Sequence, residues 1–246
     1  MEHVEAHYDY LLVALSYVTS VLGAFTALRL LRQEAGAMGS EKWRSLVAGA
    51  LAMGGGAIWS MHFIGMLAYK MGMPVEYDIP LTLASLIVAV LVTGFGLYVV
   101  GQGPKQPGRL VLGGTVMGAG VASMHYTGMA AMRMQGTLTY DTALVSISVA
   151  IAVVASIAAL WLVFHAVKMW HMIASALVMG IAVCGMHYTG MVAATMKHDP
   201  TLAVPKASGL SPEILAYIIF LVTIVILSGS WLAVGSSRAA RIQRTA

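Results

Sequence analysis

Three near-copies of one seven-residue string set imidazoles beside thioethers: Ser60-Met61-His62-Phe63-Ile64-Gly65-Met66, Ser123-Met124-His125-Tyr126-Thr127-Gly128-Met129 and Gly185-Met186-His187-Tyr188-Thr189-Gly190-Met191. The histidines lie 63 and 62 residues apart, and each copy ends a long apolar stretch. An ionisable ring inside a membrane is costly and calls for a partner. Three of them at equivalent places point to a bound transition metal.

On a helix, positions i and i+4 share a face. His62 with Met66, His125 with Met129 and His187 with Met191 are therefore stacked imidazole–thioether pairs. Met61, Met124 and Met186 sit about 100° round, on the stripe of Gly65, Gly128 and Gly190. Met71, Met134 and Met196 recur nine residues after each histidine. Imidazole with thioether favours copper over the hard cations, which take carboxylate and carbonyl oxygen. Thioethers suit Cu(I), whereas three imidazoles alone accept Cu(II) or, less discriminately, Zn(II). Spare coordination positions would admit a diatomic gas. One membrane histidine near a methionine is ordinarily packing, since methionine fills gaps in apolar interiors. Threefold repetition is what turns His62, His125 and His187, with Met61, Met124, Met186, Met66, Met129 and Met191, into expected ligands.

The rest of the chain must hold these residues in a membrane. Hydrophobic residues make up 59% of the 246, charged residues 10%, and the mean hydropathy is +0.82. An ordinary soluble domain is excluded, and apolar runs of about 20 residues are long enough to cross a bilayer as helices. Seven spans are predicted, near 10–31, 44–68, 80–100, 110–132, 142–165, 170–195 and 213–235. The first does not read as a signal peptide, because Glu2, Glu5 and Asp9 stand where a basic segment is needed. With the N-terminus outside, Arg29, Arg32, Lys42, Arg44, Lys105, Arg109, Lys168, Arg238, Arg241 and Arg244 fall on the cytoplasmic side. Lys70, Arg133, Lys197 and Lys206 complete the 14 basic residues and fall outside. The positive-inside rule thus predicts an outer N-terminus and a cytoplasmic C-terminus. The net charge of +4 follows mostly from that topology and forms no stripe for nucleic acid. A single cysteine, Cys184, excludes an intrachain disulfide framework.

The repeat is longer than the string. Tyr8-Asp9, Tyr77-Asp78 and Tyr140-Asp141 each open an odd-numbered helix, with a leucine three positions after the aspartate (Leu12, Leu81, Leu144) and a serine seven after it (Ser16, Ser85, Ser148). The predicted fold is an all-α integral membrane domain over 8–235. It holds three parallel two-helix repeats near 8–71, 77–134 and 140–196, a seventh helix over 213–235 and a basic cytoplasmic tail over 236–246. Repeats of this kind are related by an axis along the membrane normal, which brings the three histidines to one depth near the outer face. Gly54-Gly55-Gly56, Gly118 with Gly120, and Gly180 precede the histidines and permit close helix approach.

Other polar groups have narrower uses. Phe63 stands where Tyr126 and Tyr188 follow the other histidines, so phenol ligation in all three repeats is excluded. Hydrogen bonding at two sites and interface anchoring both stay open. Asp9, Asp78 and Asp141 suit helix N-capping, with orientation of an imidazole as the alternative. Cys184 has Trp59 and Ala122 at its equivalent positions and does not repeat. His3 and His7 form an i, i+4 pair on the outer tail, placed to cover or load the site. His165, His171 and His198 read as interfacial.

These residues resemble the MHYT family of bacterial integral membrane sensor domains. Met-His-Tyr-Thr occurs verbatim at 124–127 and 186–189, and Trp59-Ser60-Met61-His62-Phe63-Ile64-Gly65-Met66 fills the first position. The resemblance implies a copper-binding module near the outer, periplasmic side of the cytoplasmic (inner) membrane that senses oxygen, carbon monoxide or nitric oxide. It implies Met61, His62, Met124, His125, Met186 and His187 as ligands, with tyrosine weakened by Phe63. It also implies cyclic-di-GMP signalling through a cytoplasmic partner or fused output domain. No such domain lies within the 246 residues, so the signal is expected to reach a separate chain or the rest of a longer one. The expected function is a copper-dependent sensor of a diatomic gas or of redox state. Copper uptake or transfer, or a membrane copper–oxygen enzyme, is the alternative. An enzyme is the less favoured because the spans hold no separate acid–base pair.

Overall fold

The computed structural model describes residues 2–3, 7–33, 40–166, 168–199, 201–202 and 209–245, with side chains excepted at 2–3, 33, 40 and 233–245. Glu5, Glu34 and Lys206, and the side chains of Glu2, His3, Arg238, Arg241 and Arg244, lie outside that description. Apolar runs closed by charged or turn residues become seven long helical rods. They are α1 (Tyr10–Gln33), a composite rod, α4 (Ile79–Gly101), α5 (Pro107–Ala130), α6 (Thr142–His165), α7 (Met169–Ala193) and α8 (Pro212–Thr245). The composite rod joins α2 (Ser40–Ala50), a π-helical stretch (Leu51–Trp59) and α3 (Ser60–Ala68).

Six rods are long and apolar enough to cross a membrane. The exception is α5, whose 24 residues suffice in length but include six glycines that dilute its hydropathy. The chain is thus an all-α, multi-span membrane protein. Large apolar side chains such as Leu91, Val154, Ile181 and Val225 point outward, as a lipid solvent allows. The last rod runs beyond the expected end at 235, because Ser-Ser-Arg-Ala-Ala-Arg-Ile-Gln-Arg contains no helix breaker.

Helix starts follow the sequence signals. Asp78 Oδ1 accepts the Leu81 N–H at 2.9 Å, with a proline in the first turn behind it. Asp9 does the same for Leu11 and Leu12, and Asp141 for Ala143 and Leu144. Each aspartate therefore satisfies amides that a helix start leaves orphaned. N-capping is its role, and none joins the histidines.

Packing closes the rods into a ring: composite rod, α1, α7, α6, α5, α4 and back to the composite rod. Outside the ring, α8 rests on the π stretch, α1 and α3. Short strands staple each hairpin at the histidine end: β2 (His7–Tyr8) to β3 (Tyr69–Lys70), β4 (Val75–Tyr77) to β5 (Met132–Met134), and β6 (Gly136–Tyr140) to β7 (Ala194–His198). All three pairs are antiparallel, with β1 (Glu2–His3) added to the far edge of β7. Because the strand before the odd helix pairs with the strand after the even one, each hairpin's open end is tied.

Close contacts between hairpins use the glycines. A Cβ on Gly54 would lie 2.5 Å from Ala89 O of α4, and one on Gly118 2.4 Å from Val153 Cα of α6. Each motif rod thus presses bare backbone against the odd helix of the next hairpin.

Candidate metal centre

His62, His125 and His187 come from α3, α5 and α7, alternate members of the ring, and each is wholly buried. Their Nδ1 atoms converge at 3.0 Å (His62 to His187), 3.1 Å (His62 to His125) and 3.3 Å (His125 to His187). The centre of that triangle lies about 1.8 Å from each nitrogen, the mean side divided by √3.

Protons cannot satisfy this arrangement. A ring nitrogen either donates or accepts, never both. With one or two of the three protonated, at most two of the three contacts are hydrogen bonds and the third still sets like against like; with all or none protonated, every contact does. Water does not fit at the centre of the triangle, since its oxygen needs about 2.7 Å or more to each partner. Metal–imidazole bonds are about 2.0–2.1 Å, close to the room available. The triangle has the dimensions of a cation site with three nitrogen donors, and these three are the group of His, Cys, Asp or Glu that could hold a metal among the described residues.

The outer ring nitrogens reinforce this. Each Nε2 is buried with no hydrogen-bond partner among the described residues. An orphaned buried donor costs about 1–3 kcal/mol. Structural metal binding releases roughly 10–16 kcal/mol, enough to hold three such groups in place.

Glycine seats each ring. A Cβ on Gly128 would stand 2.2 Å from His62 Nε2, one on Gly190 2.3 Å from His125 Nε2, and one on Gly65 2.3 Å from His187 Nε2. Every imidazole therefore lies in a notch of the next motif helix. The third position after each histidine must be glycine for the rings to meet.

A second ring of contacts surrounds the first. Ser16, Ser85 and Ser148 each donate to the carbonyl three residues back, at 2.7, 2.7 and 2.8 Å. Each Oγ is then free to accept from a neighbouring hairpin. Tyr188 O–H donates to Ser16 at 3.0 Å and Tyr126 O–H to Ser148 at 2.6 Å. At the first repeat Phe63 has no hydroxyl, and Trp59 Nε1–H donates to Ser85 at 3.0 Å instead. The two tyrosines are thus hydrogen-bonding residues. Above them, Tyr8, Tyr77 and Tyr140 pack against Tyr188, Phe63 and Tyr126, with ring centroids 5.7, 6.2 and 5.5 Å apart. Burial pushes the Tyr8 and Tyr140 phenols up to about 12 and raises Tyr77 as well, so these three stay neutral.

Met61, Met66, Met124, Met129, Met186 and Met191 are all buried on the motif helices. Met71 and Met196 are also buried, and Met134 is half-buried. Cys184 is partly exposed and is not among the converging groups. His7 sits in β2, opposite Lys70. His165 faces the Trp161 carbonyl and His198 the Gln135 carbonyl, away from the triad.

Sequence reasoning missed one layer. Met53-Gly54, Met117-Gly118 and Met179-Gly180 repeat the same dipeptide below the histidines. The glycine falls eight residues before His62 but seven before His125 and His187. The nine-residue π stretch absorbs the extra residue, with Ser60 N–H bonding to Gly55 O, five positions back. Allowing a one-residue offset would have revealed the dipeptide.

A threefold-repeated membrane bundle closing on a buried histidine triad is a class of architecture with a clear sequence counterpart. Residues 55–113, 118–176 and 180–246 match the MHYT repeat, described as "Bacterial signalling protein N terminal repeat". The chain belongs to the MHYT family. Each matched segment begins seven residues before a histidine.

Among curated proteins, the "Bifunctional diguanylate cyclase/cyclic di-GMP phosphodiesterase MucR" of Pseudomonas aeruginosa is 41% identical, covering 90% of this chain and 33% of its own length. The "Signaling protein YkoW" of Bacillus subtilis is 36% identical over 97% of this chain and 30% of its own. The "Cyclic di-GMP phosphodiesterase NbdA" of Pseudomonas aeruginosa is 35% identical over 74% and 24%. The chain therefore spans about a third or less of these relatives. No solved structure matches.

Proposed function

We propose that this chain is the copper-binding, outward-facing sensor of a bacterial signalling protein, reporting a diatomic gas (oxygen, carbon monoxide or nitric oxide) or redox state across the inner membrane. The observation that supports it is the Nδ1 triangle of His62, His125 and His187, too tight for water and sized for a metal ion. Three imidazoles on helices that carry buried methionines at equivalent motif positions, with no carboxylate in the group, suit copper better than a hard cation. Met61, Met66, Met124, Met129, Met186 and Met191 are the candidate thioether donors. Copper held there would supply a redox-active centre able to take a further small ligand.

The chain's own residues position and transmit. Gly65, Gly128 and Gly190 seat the rings, and the serine ring fixes the aromatic neighbours. Ser60, two residues before His62, accepts a hydrogen bond at 2.8 Å from Thr223 of α8. A shift at the triad that moves α3 would reach α8 directly, and α8 leads out of the membrane. Any such ligand acts only through differential affinity for two arrangements. The cyclic-di-GMP activities named for the relatives make that nucleotide the proposed output, through a fused domain or a separate partner.

Elemental analysis of detergent-purified protein after copper loading tests the centre. The wild type should retain near-stoichiometric copper, and a variant with His62, His125 and His187 all changed to Ala should retain almost none. Equal, negligible copper in both would sink the assignment.

A further inference from the structure

One layer inward from the triad, residues of α1, the π stretch, α5, α6 and α7 line a cavity of about 30 Å³. Its wall repeats with the fold. Ile58, Val121 and Val183, each four residues before a motif histidine, line the end nearer the triad. Met53, Met117 and Met179 line the other end. Of the candidate thioether donors, only Met186 borders this space, and none of the three motif histidines does.

Size and polarity select the guest. About 10–15 Å³ of such room holds one water, so this cavity suits a molecule of two heavy atoms. Water requires two to four polar partners, and apolar cavities stay dry while accepting apolar guests. Here the polar side chains in the wall are Ser20 and Ser156. The Ser20 hydroxyl is fully buried and has no hydrogen-bond partner among the described residues. Two hydroxyls in an otherwise apolar wall meet only the lower limit for a single water and leave the rest of the space without polar partners. The unpaired Ser20 hydroxyl is enough to orient an uncharged molecule with a weakly accepting end.

We propose that this chamber is the docking site of an uncharged diatomic molecule on its way to the triad, with Ser20 Oγ–H as its polar contact. The proposal deepens the gas-sensing reading and rests on it, but occupancy of the chamber requires no metal.

The test uses the full metal-free chain in detergent, with methionine methyls carrying carbon-13 and dissolved molecular oxygen as the probe. Paramagnetic oxygen speeds the relaxation of methyls near it. Met53, Met117 and Met179 should show severalfold larger enhancement than Met66, Met129 and Met191, which are buried but do not line the chamber. Ala152→Val should reduce the enhancement at Met53 and Met117 to the control level. Met179→Ala enlarges the chamber and should raise it, which keeps the test decisive if Ala152→Val fails to fold. Equal enhancement at all six methyls in the wild type and at the remaining five in Met179→Ala overturns the proposal. So does a copper ratio of two per chain that falls to one in Met179→Ala, since the thioethers would then hold a metal. Loss of the oxygen signal with copper still bound by the triad would remove the chamber and leave the centre standing. The opposite result would do the reverse.

Discussion

At the residue scale, geometry makes glycine as decisive as histidine. Gly128→Ala improves intrinsic helix propensity by about 1 kcal/mol, so the helix itself should persist. Its new methyl, however, would sit 2.2 Å from His62 Nε2, and the imidazole must leave the triad. Copper affinity should fall by about 10–100-fold, the usual loss when a ligand's positioning partner is removed. Copper titration beside a thermal melt checks this; an unchanged titration would show that the notch does not position the ring. Phe63 supplies a second expectation. Restoring the family's tyrosine there should not help, because Ser85 already accepts from Trp59 and the ring site is fully buried. Phe63→Tyr should destabilise by about 1–3 kcal/mol, the cost of an unmatched buried hydroxyl. Adding Trp59→Phe to that variant should cost less than Trp59→Phe alone, since the new hydroxyl then has Ser85 to itself. Additive melting-temperature losses would break this account of the substitution.

At the element scale, the ends of the hairpins are where pH enters. The Asp78 carboxyl lies below the usual carboxylate range, chiefly through the Leu81 N–H and then through the Arg133 guanidinium on β5. A depressed folded value means stability that is present above the unfolded carboxylate range and lost as pH falls through the folded one. Asp78→Asn keeps a competent cap but loses the ion pair. Its melting temperature should lie below wild type at pH 7 and approach it as pH drops toward 3; a constant gap would assign the loss to capping instead. These caps were legible in the sequence, because aspartate before a regular apolar run is a local signal. The π stretch was not. Its apolar residues, Leu51 to Trp59, carry no mark separating i→i+5 from i→i+4 bonding; the fit is tertiary, with Gly54 against α4, Gly55 against α8, and Gly56 against α8 and Gly23 of α1. The inner methionine layer was hidden for the same reason, its spacing being broken by one residue. Likewise the glycine notches had the right face in the sequence, but which histidine enters which notch depends on the order of rods round the ring.

At the scale of the whole molecule, the strand staples, the aromatic layer and the triad all lie at one end, and the α4–α5 and α6–α7 turns lie at the other. Among the described residues, Arg29, Arg32, Lys42, Arg44, Lys105, Arg109 and Lys168 gather toward the turn end, against Lys70, Arg133 and Lys197 at the staple end. The positive-inside rule therefore predicts the staples and the triad on the outer side. A sensor that samples the exterior and signals inward requires this polarity, and a cytoplasmic copper acceptor requires the reverse. Single cysteines placed in a Cys184→Ser background distinguish them. Gln102 follows α4 at the turn end, and Leu202 follows β7 at the staple end; both are exposed. A membrane-impermeant maleimide should label Leu202→Cys in intact cells and Gln102→Cys only after permeabilisation. Neither substitution alters a basic residue, so the labelling reports the native orientation. The inverse pattern would place the histidine triad on the cytoplasmic side, and outward sensing would have to be abandoned even if copper binding at the triad held.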